Sequence, residues 1–126
     1  MGDFELVENL EAWQEDTYEA WVERFGTPTE VVARLRRNPT VVIRPLYRLL
    51  GELAGARICN LMGSNGVKAL ALAMLGAEVT VIDWSEGNAR YARELAANAL
   101  LDVRYVVADV LALPEAELTP RYDVVL

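Results

Sequence analysis

The sequence predicts an α/β fold with a doubly wound, mostly parallel sheet that is preceded by helices. Two observations carry this prediction. From residue 56 onward, short runs rich in β-branched residues alternate with helical stretches, which is typical of successive βαβ units. In addition, the first three runs each end near an asparagine or aspartate, at the sheet edge where such folds bind ligands.

The first part of the chain, residues 1–54, predicts three helices. Apolar and aromatic residues recur at helical spacing as far as Gly26, which predicts a first amphipathic helix. A second helix is expected to begin at Thr27–Glu30, because proline is tolerated in a first turn, and to stop before Asn38. A third helix is expected over Val41–Leu50.

The elements after residue 55 follow from the alternation of runs. The predicted strands are Arg57–Leu61, Glu78–Ile82, Val103–Val107 and a fourth run, Tyr122–Leu126. The predicted helices are Val67–Leu75 and a longer one that Ser85 caps and that reaches Leu100. Their periodicity places eight residues inward: Val67, Leu70, Ala71, Met74, Ala92, Leu95, Ala96 and Ala99.

Composition excludes several classes of function. The formal net charge is −7, so binding to a phosphate backbone is not expected. There is no histidine and only one cysteine, so neither a Ser-His-Asp triad, a metal site nor an internal disulfide is predicted. No secretory signal and no apolar run long enough for a membrane span is visible, and a cytoplasmic location is predicted.

The turn after the first strand is the first candidate site. It contains Gly63 and Gly66, which permit close backbone approaches that a side chain would block. The amides at the start of the following helix can hold an anionic group. The candidate ligand-binding residues here are Asn60, Leu61, Met62, Gly63, Ser64 and Gly66. An ordinary tight turn between strand and helix is the alternative.

Two aspartates follow the next two strands. Asp83 comes twenty positions after Gly63, where an acidic side chain can accept hydrogen bonds from two ribose hydroxyls. Asp109 can accept from the amino group of adenine, with Trp84 and Val110 as apolar walls around the ring. Taken alone, Asp83 fits a helix-capping or turn residue better and Asp109 has a turn residue as its alternative, but together with the glycine turn they predict a nucleotide site.

The glycine spacing restricts the nucleotide. Gly63 and Gly66 do not form G-x-G-x-x-G, which disfavours a nicotinamide or flavin site, and no G-x-x-x-x-G-K-[ST] loop occurs. Lys68 then fits a solvated helix residue better than a phosphate ligand.

These segments resemble the class I S-adenosylmethionine-dependent methyltransferase family, which has a Rossmann-like fold. Ile58–Gly66 resembles its first motif, Val81–Ser85 its ribose-binding segment and Ala108–Val110 its adenine-contacting segment. Tyr122–Leu126 resembles its fourth strand, and the turn is similar to the GSNG-type turn of a bacterial subgroup. The resemblance covers residues 55–126 and implies the first half of the domain, truncated after the fourth strand.

The first motif departs from the family at three positions. Asn60 stands where the family usually has an acidic residue, and Met62 and Ser64 stand where it often has glycine. Asn60 can still form a hydrogen bond, but it offers no charge to the ammonium of the cofactor's methionine part. The departures predict weaker cofactor binding or a changed loop geometry.

The resemblance implies the cofactor S-adenosylmethionine and methyl transfer to an unidentified acceptor, expected to be a small molecule. No catalytic residue is identified, because the family's substrate contacts commonly follow strand four. One alternative is a non-catalytic scaffold with a methyltransferase-like fold, and a less favoured one is an NAD-binding oxidoreductase domain. An open edge on the fourth strand would favour self-association.

The resemblance also implies that residues 1–54 form a helical cap over the site. Tyr18 and Trp21 are candidates to line that cap. The better-supported interpretation is that they pack helix against sheet, since aromatic residues at helical spacing are usually buried.

Overall fold

Four parallel strands form the centre of the structure, in the order β3-β2-β1-β4. The computed structural model describes residues 16–112 and 122–126. The strands are β1 Arg57–Leu61, β2 Glu78–Asp83, β3 Val103–Val107 and β4 Val124–Val125. The helices are α1 at residues 16–25, α2 Pro28–Arg37, α3 Arg44–Leu50, α4 Val67–Met74 and α5 Glu86–Ala99, with 3₁₀ turns at Val41–Ile43 and Val110–Ala112. The predicted parallel α/β fold is confirmed.

The strand order reverses at β1, and this reversal locates the site. The chain moves from β1 to β2 to β3 in one direction, whereas β4 pairs with the opposite edge of β1. Leu61 lies beside Ile82, and Asp83 lies beside Val107, so the strands end at one edge of the sheet. A crevice at the carboxyl ends of strands on either side of such a reversal is where these folds bind ligands.

Helices α4 and α5 cover the sheet with small and aliphatic residues. The inward face predicted for α5 is buried throughout, and the Ser85 hydroxyl caps this helix by accepting from the Asn88 amide at 3.1 Å. In α4 the predicted Leu70 and Ala71 are buried, and Ala69, Leu72 and Ala73 are buried as well. The predicted inward residues Val67 and Met74 are only partly buried. Five consecutive residues, Ala69–Ala73, are buried, so the middle of α4 is enclosed by its neighbours on all sides.

The N-terminal helices share the hydrophobic core with the sheet. Tyr18 donates a hydrogen bond to the Glu94 carboxylate, and the Trp21 indole N–H donates to Asn88 Oδ1 at 2.7 Å. The Tyr91 hydroxyl donates to the Gly26 carbonyl at 2.8 Å. These contacts join α1 to α5, which supports the packing interpretation of the two aromatic residues. The predicted beginning of the first helix, before residue 16, lies outside the described residues.

Two predicted elements are shorter in the structure. The third helix is interrupted: a 3₁₀ turn covers Val41–Ile43 and α3 begins at Arg44, because Pro45 has no amide hydrogen and fits only a first helical turn. The fourth strand is restricted to Val124–Val125. Pairing with β1 extends beyond those two residues through single backbone hydrogen bonds, such as Leu61 N–H to the Leu126 carbonyl at 2.9 Å.

Within residues 16–112, no helix has the length and apolar character needed to cross a membrane. In the same part of the chain and in residues 122–126, no group of three His, Cys, Asp or Glu side chains is placed to hold a metal ion.

Candidate functional site at the carboxyl ends of the strands

The loop between β1 and α4 lines a cavity of about 370 Å³. Five of the predicted residues line it: Asn60, Leu61, Met62, Gly63 and Ser64. The remaining walls come from Phe25, Val42, Asn65, Val67, Lys68 and Leu126. The volume lies in the range of small-molecule and cofactor sites.

Both glycines of the loop are required by its geometry. A Cβ on Gly63 would collide with Val81 Cγ1 and would lie 2.8 Å from Asn60 Oδ1. Gly66 has φ +80°, and a Cβ there would lie 2.5 Å from the Cβ of Ala92 on α5. Gly63 therefore brings the loop close to β1 and β2, whereas Gly66 brings it close to α5. The close approaches predicted from the sequence are present.

Ser64, at the centre of the loop, is held by the next two strands. Its amide donates to Asp83 Oδ2 at 3.0 Å, and its carbonyl accepts from the Tyr105 hydroxyl at 2.6 Å. Tyr105 is buried in β3, and burial together with the nearby Asp83 charge raises the pKa of its hydroxyl above the ordinary tyrosine value. The neutral phenol is therefore kept as a donor. The sequence did not predict this role of Tyr105, although Tyr105 is the one aromatic residue of β3.

Two non-glycine residues of the loop have left-handed backbone conformations. Met62 has φ 50° and Ser64 has φ 55°. These are the two positions at which the sequence departs from the glycines of the resembling family. The loop thus keeps a conformation that glycine adopts without strain, at a typical cost of about 1 kcal/mol or more for each side chain.

Asn60 carries an unsatisfied polar atom. Its side chain is 5% exposed, and its Oδ1 has no hydrogen-bond partner among the described residues. An unpaired buried acceptor costs about 1–3 kcal/mol, so native structures usually satisfy it with protein, water or ligand. Because Asn60 lines the cavity, a ligand that donates a hydrogen bond fits this atom.

Asp83 is buried at the end of β2 and makes two hydrogen bonds within the chain. Oδ2 accepts from the Ser64 amide, and Oδ1 accepts from the Ser85 amide at 3.0 Å. A carboxylate offers about four acceptor positions. Two positions therefore remain for hydroxyl donors, and the same side chain anchors both the β1–α4 loop and the start of α5.

The other three predicted residues lie at the same edge of the sheet, outside the lining of the cavity. Trp84 follows Asp83 and is 51% exposed. Asp109 is exposed and accepts from the Leu111 amide at 2.9 Å, which supports the short turn that begins at Val110. The Ala108 amide donates to the Asp83 carbonyl at 2.9 Å, so the ends of β2 and β3 are held side by side.

A second groove, of about 270 Å³, adjoins the cavity. The two share the side chains of Phe25, Val42 and Val67. The other residues of the groove are Val31, Arg34, Leu35, Asn38 and Val41. Its walls are mainly apolar and come from α1, from α2 with the following Asn38, from the first 3₁₀ turn and from Val67 of α4, so the N-terminal helices line a groove next to the loop.

Several solved structures resemble this chain. A SAM-dependent methyltransferase from Agrobacterium tumefaciens matches with a TM-score of 0.55 and 26% identity, over 69% of this chain and 30% of that one. EvdMO1 matches with a TM-score of 0.58 and 29% identity, over 70% of this chain and 21% of that one. The N-terminal domain of EvdMO1, with SAH bound, matches with a TM-score of 0.54 and 29% identity, over 70% and 37% of the two chains.

This chain spans less than two fifths of the length of these three structures. No protein-family model matches the sequence, and no curated protein matches it. S-adenosylmethionine, the cofactor predicted from the sequence, is the cofactor that defines the family of the structural matches. The parallel sheet, the loop after β1 and these matches agree with the sequence-based resemblance to the class I S-adenosylmethionine-dependent methyltransferase family.

Proposed function

We propose that the chain binds S-adenosylmethionine at the carboxyl ends of β1, β2 and β3 and contributes to methyl transfer onto a small molecule. The observation that carries this proposal is the hydrogen bond between Asp83 and the Ser64 amide. It joins a buried carboxylate at the end of β2 to the glycine loop at the end of β1. One part of a nucleoside ligand can thus contact the carboxylate while another part enters the cavity beside the loop.

The described residues fit the parts of this cofactor. The two remaining acceptor positions of Asp83 suit the ribose hydroxyls. Trp84 and Val110 offer apolar surface for the adenine ring, and Asp109 offers an acceptor for its amino group. The unpaired Asn60 Oδ1 suits a donor on the amino-acid part of the cofactor.

When bound, the cofactor supplies an electrophilic methyl group, so the protein mainly has to hold two reactants in line and exclude water. Among the described residues, neither the cavity nor the adjoining groove is lined by Asp, Glu or His. We therefore propose that the acceptor provides its own nucleophilic lone pair, without a base from this part of the chain.

The groove supports a small acceptor with an apolar body. A volume of about 270 Å³ is slightly below the usual range of drug-sized pockets. Phe25, Val42 and Val67 line the groove and the cavity alike, so an acceptor in the groove would lie beside the reactive end of the cofactor.

Calorimetric titration with S-adenosylhomocysteine tests the proposal, with NADH as competitor. We expect micromolar binding that NADH does not reduce. The variant Asp83→Asn removes one acceptor position, but it also weakens the contact with the Ser64 amide. Tyr105→Phe is the matched control, because it loosens the same residue of the loop and leaves the carboxylate in place.

A change of ligand distinguishes the two effects of Asp83→Asn, the lost acceptor for the ribose and the weaker contact with the loop. A 2′,3′-dideoxy analogue of S-adenosylhomocysteine should bind the wild-type protein at least about tenfold more weakly than the parent, because two hydroxyl donors are lost. In Asp83→Asn this difference should shrink, and in Tyr105→Phe it should persist. An absence of any binding would contradict the proposal and favour the non-catalytic scaffold.

A further inference from the structure

We propose that the amino-acid end of the cofactor is selected by its carboxylate, which Lys68 binds, while Asn60 accepts a hydrogen bond from the ammonium without offering a charge. This inference rests on the proposed function. It assigns a specificity-determining role to Lys68, which the sequence alone placed on a solvated helix face.

Asn60 supplies the first observation. Only 5% of this residue is exposed, and its Oδ1 has no hydrogen-bond partner in the described part of the chain. This atom lies 2.8 Å from the position that a Cβ on Gly63 would occupy. Gly63 has no Cβ to cover this buried acceptor, and Asn60 itself lines the cavity.

Lys68 supplies the second observation. It is the only lysine in the sequence, and it lies in the first turn of α4. Among the described residues that line the cavity, it is the only one with a charged side chain. A chain with a net charge of −7 therefore presents a positive group at this place.

The backbone also contributes positive potential to the cavity. Lys68 lies at the amino end of α4, where the helix dipole and the first-turn amides favour an anion. The amide of Val67 is already paired with Asn65 Oδ1 at 3.2 Å. The ammonium of Lys68 and the dipole of α4 thus act in the same direction on any group in the cavity.

The consequence is that the cavity selects ligands by the sign of their charge. An acidic residue in place of Asn60 would attract an ammonium, but the asparagine present here offers only a neutral acceptor. A cavity with Lys68 and a helix amino end attracts a carboxylate and repels a lone ammonium. Adenosyl compounds that keep the carboxylate should therefore be preferred over those that keep only the amine.

Four ligands test this inference by calorimetry. They are S-adenosylhomocysteine, its decarboxylated analogue, its deaminated analogue and 5′-methylthioadenosine, which lacks both charged groups. In the wild-type protein, loss of the carboxylate should weaken binding by about tenfold or more. Loss of the ammonium should weaken binding by only about two- to threefold, because its acceptor is uncharged.

The variant Lys68→Gln should weaken the two carboxylate-containing ligands by about five- to twentyfold and leave the other two unchanged. Arg48→Gln is the matched control, since it removes the same charge from an exposed position on α3 that does not line the cavity. It should leave all four affinities unchanged.

A spectroscopic readout is independent of the affinities. The single lysine gives one side-chain ¹H–¹⁵N correlation in a labelled protein. S-adenosylhomocysteine and its deaminated analogue should shift this signal, whereas 5′-methylthioadenosine and the decarboxylated analogue should not.

The inference is overturned if the wild-type protein binds the decarboxylated analogue as tightly as S-adenosylhomocysteine. It is also overturned if Lys68→Gln weakens all four ligands equally. Binding of 5′-methylthioadenosine with no gain from the amino-acid end would remove this inference and leave the proposed function standing. Failure of all four ligands to bind would remove the proposed function and the inference with it.

Discussion

Gly66 couples the loop at the site to helix α5, and the substitution Gly66→Ala tests that coupling. An alanine there would keep φ near +80° and place its Cβ 2.5 Å from the Cβ of Ala92. The left-handed conformation costs about 1–2 kcal/mol for a side chain. The steric overlap costs about 1–3 kcal/mol more, since both elements are packed.

The expected loss is smaller than the sum of these two costs. Alanine restricts the unfolded chain more than glycine does, which returns about 0.4–1 kcal/mol. We therefore expect Gly66→Ala to lower the free energy of unfolding by about 2–4 kcal/mol, or the melting temperature by roughly 10 °C. Urea unfolding followed by far-UV circular dichroism measures this change.

A second substitution isolates the contact. Ala92→Gly alone should destabilise the protein by about 1 kcal/mol through its effect on helix α5, with a further loss from the buried methyl group. Combined with Gly66→Ala, it removes the closest atom and leaves the Cα of residue 92 at 3.2 Å. The double variant should be more stable than additivity predicts by about 1–3 kcal/mol.

Two results would refute this reasoning. One is a Gly66→Ala variant whose stability lies within about 0.5 kcal/mol of the wild type, because the loop would then tolerate a side chain at that position. The other is strict additivity of the two substitutions. If Gly66→Ala alone does not fold but the double variant does, the coupling is supported.

Three further predictions concern the loop and the sheet. Tyr105→Phe should lower the free energy of unfolding by about 1 kcal/mol in urea, because the Ser64 carbonyl loses its donor, and it should remove the most alkaline step from the absorbance titration of the tyrosines. Met62→Gly should raise the free energy of unfolding by about 0.5 kcal/mol, because glycine adopts the positive φ of this position without strain, whereas the β-branched Met62→Val should lower it. Urea unfolding of both variants measures these changes, and equal effects would show that the backbone at Met62 is not strained. Asp123 joins β4 to β1, and hydrogen bonds from the backbone and side chain of Arg57 lower its pKa. The carboxylate therefore stabilises the folded protein fully above its ordinary pKa of about 4, and this stabilisation is lost as the pH falls through the lower pKa of the folded state. In Asp123→Asn the midpoint of urea unfolding should depend less on pH between pH 4 and pH 2. An unchanged pH dependence of the midpoint would contradict the assignment.

The strands and α5 could be predicted because their signals are local. The bounds of β1 and β3 agree with the sequence prediction, and Ser85 caps α5 as expected. β2 in particular is rich in β-branched residues and is buried from Val79 to Asp83, so its sequence reflects one environment. The place of the site could also be predicted, because ligands bind at the carboxyl ends of the strands in a parallel sheet of this kind.

The third helix and the fourth strand were predicted too long because competing constraints act there. Apolar residues continue through Val41–Leu50, but Pro45 removes a backbone donor and resets the helix start. In Tyr122–Leu126 the composition predicts a strand of five residues, yet only Val124 and Val125 meet the pairing geometry with β1. Pairing depends on the neighbouring strand and not on composition alone.

The contacts of the loop could be predicted only in part. The need for small residues at positions 63 and 66 followed from the glycines themselves. The roles of Tyr105 and Lys68 did not, because each depends on a neighbour distant in the sequence or on a cavity formed by several elements. The left-handed conformations of Met62 and Ser64 were equally hidden, since neither residue type signals a positive φ.

Amide chemical-shift mapping with S-adenosylhomocysteine tests the central claim most directly, because that claim places one cofactor across the ends of three strands. We predict that the largest shifts fall on the amides of Ser64, Ser85 and Asp109 and on their neighbours. A different cavity, of about 440 Å³ and lined by Arg57 and Glu78, lies at the amino ends of the strands. Shifts confined to that end of the sheet would contradict the account.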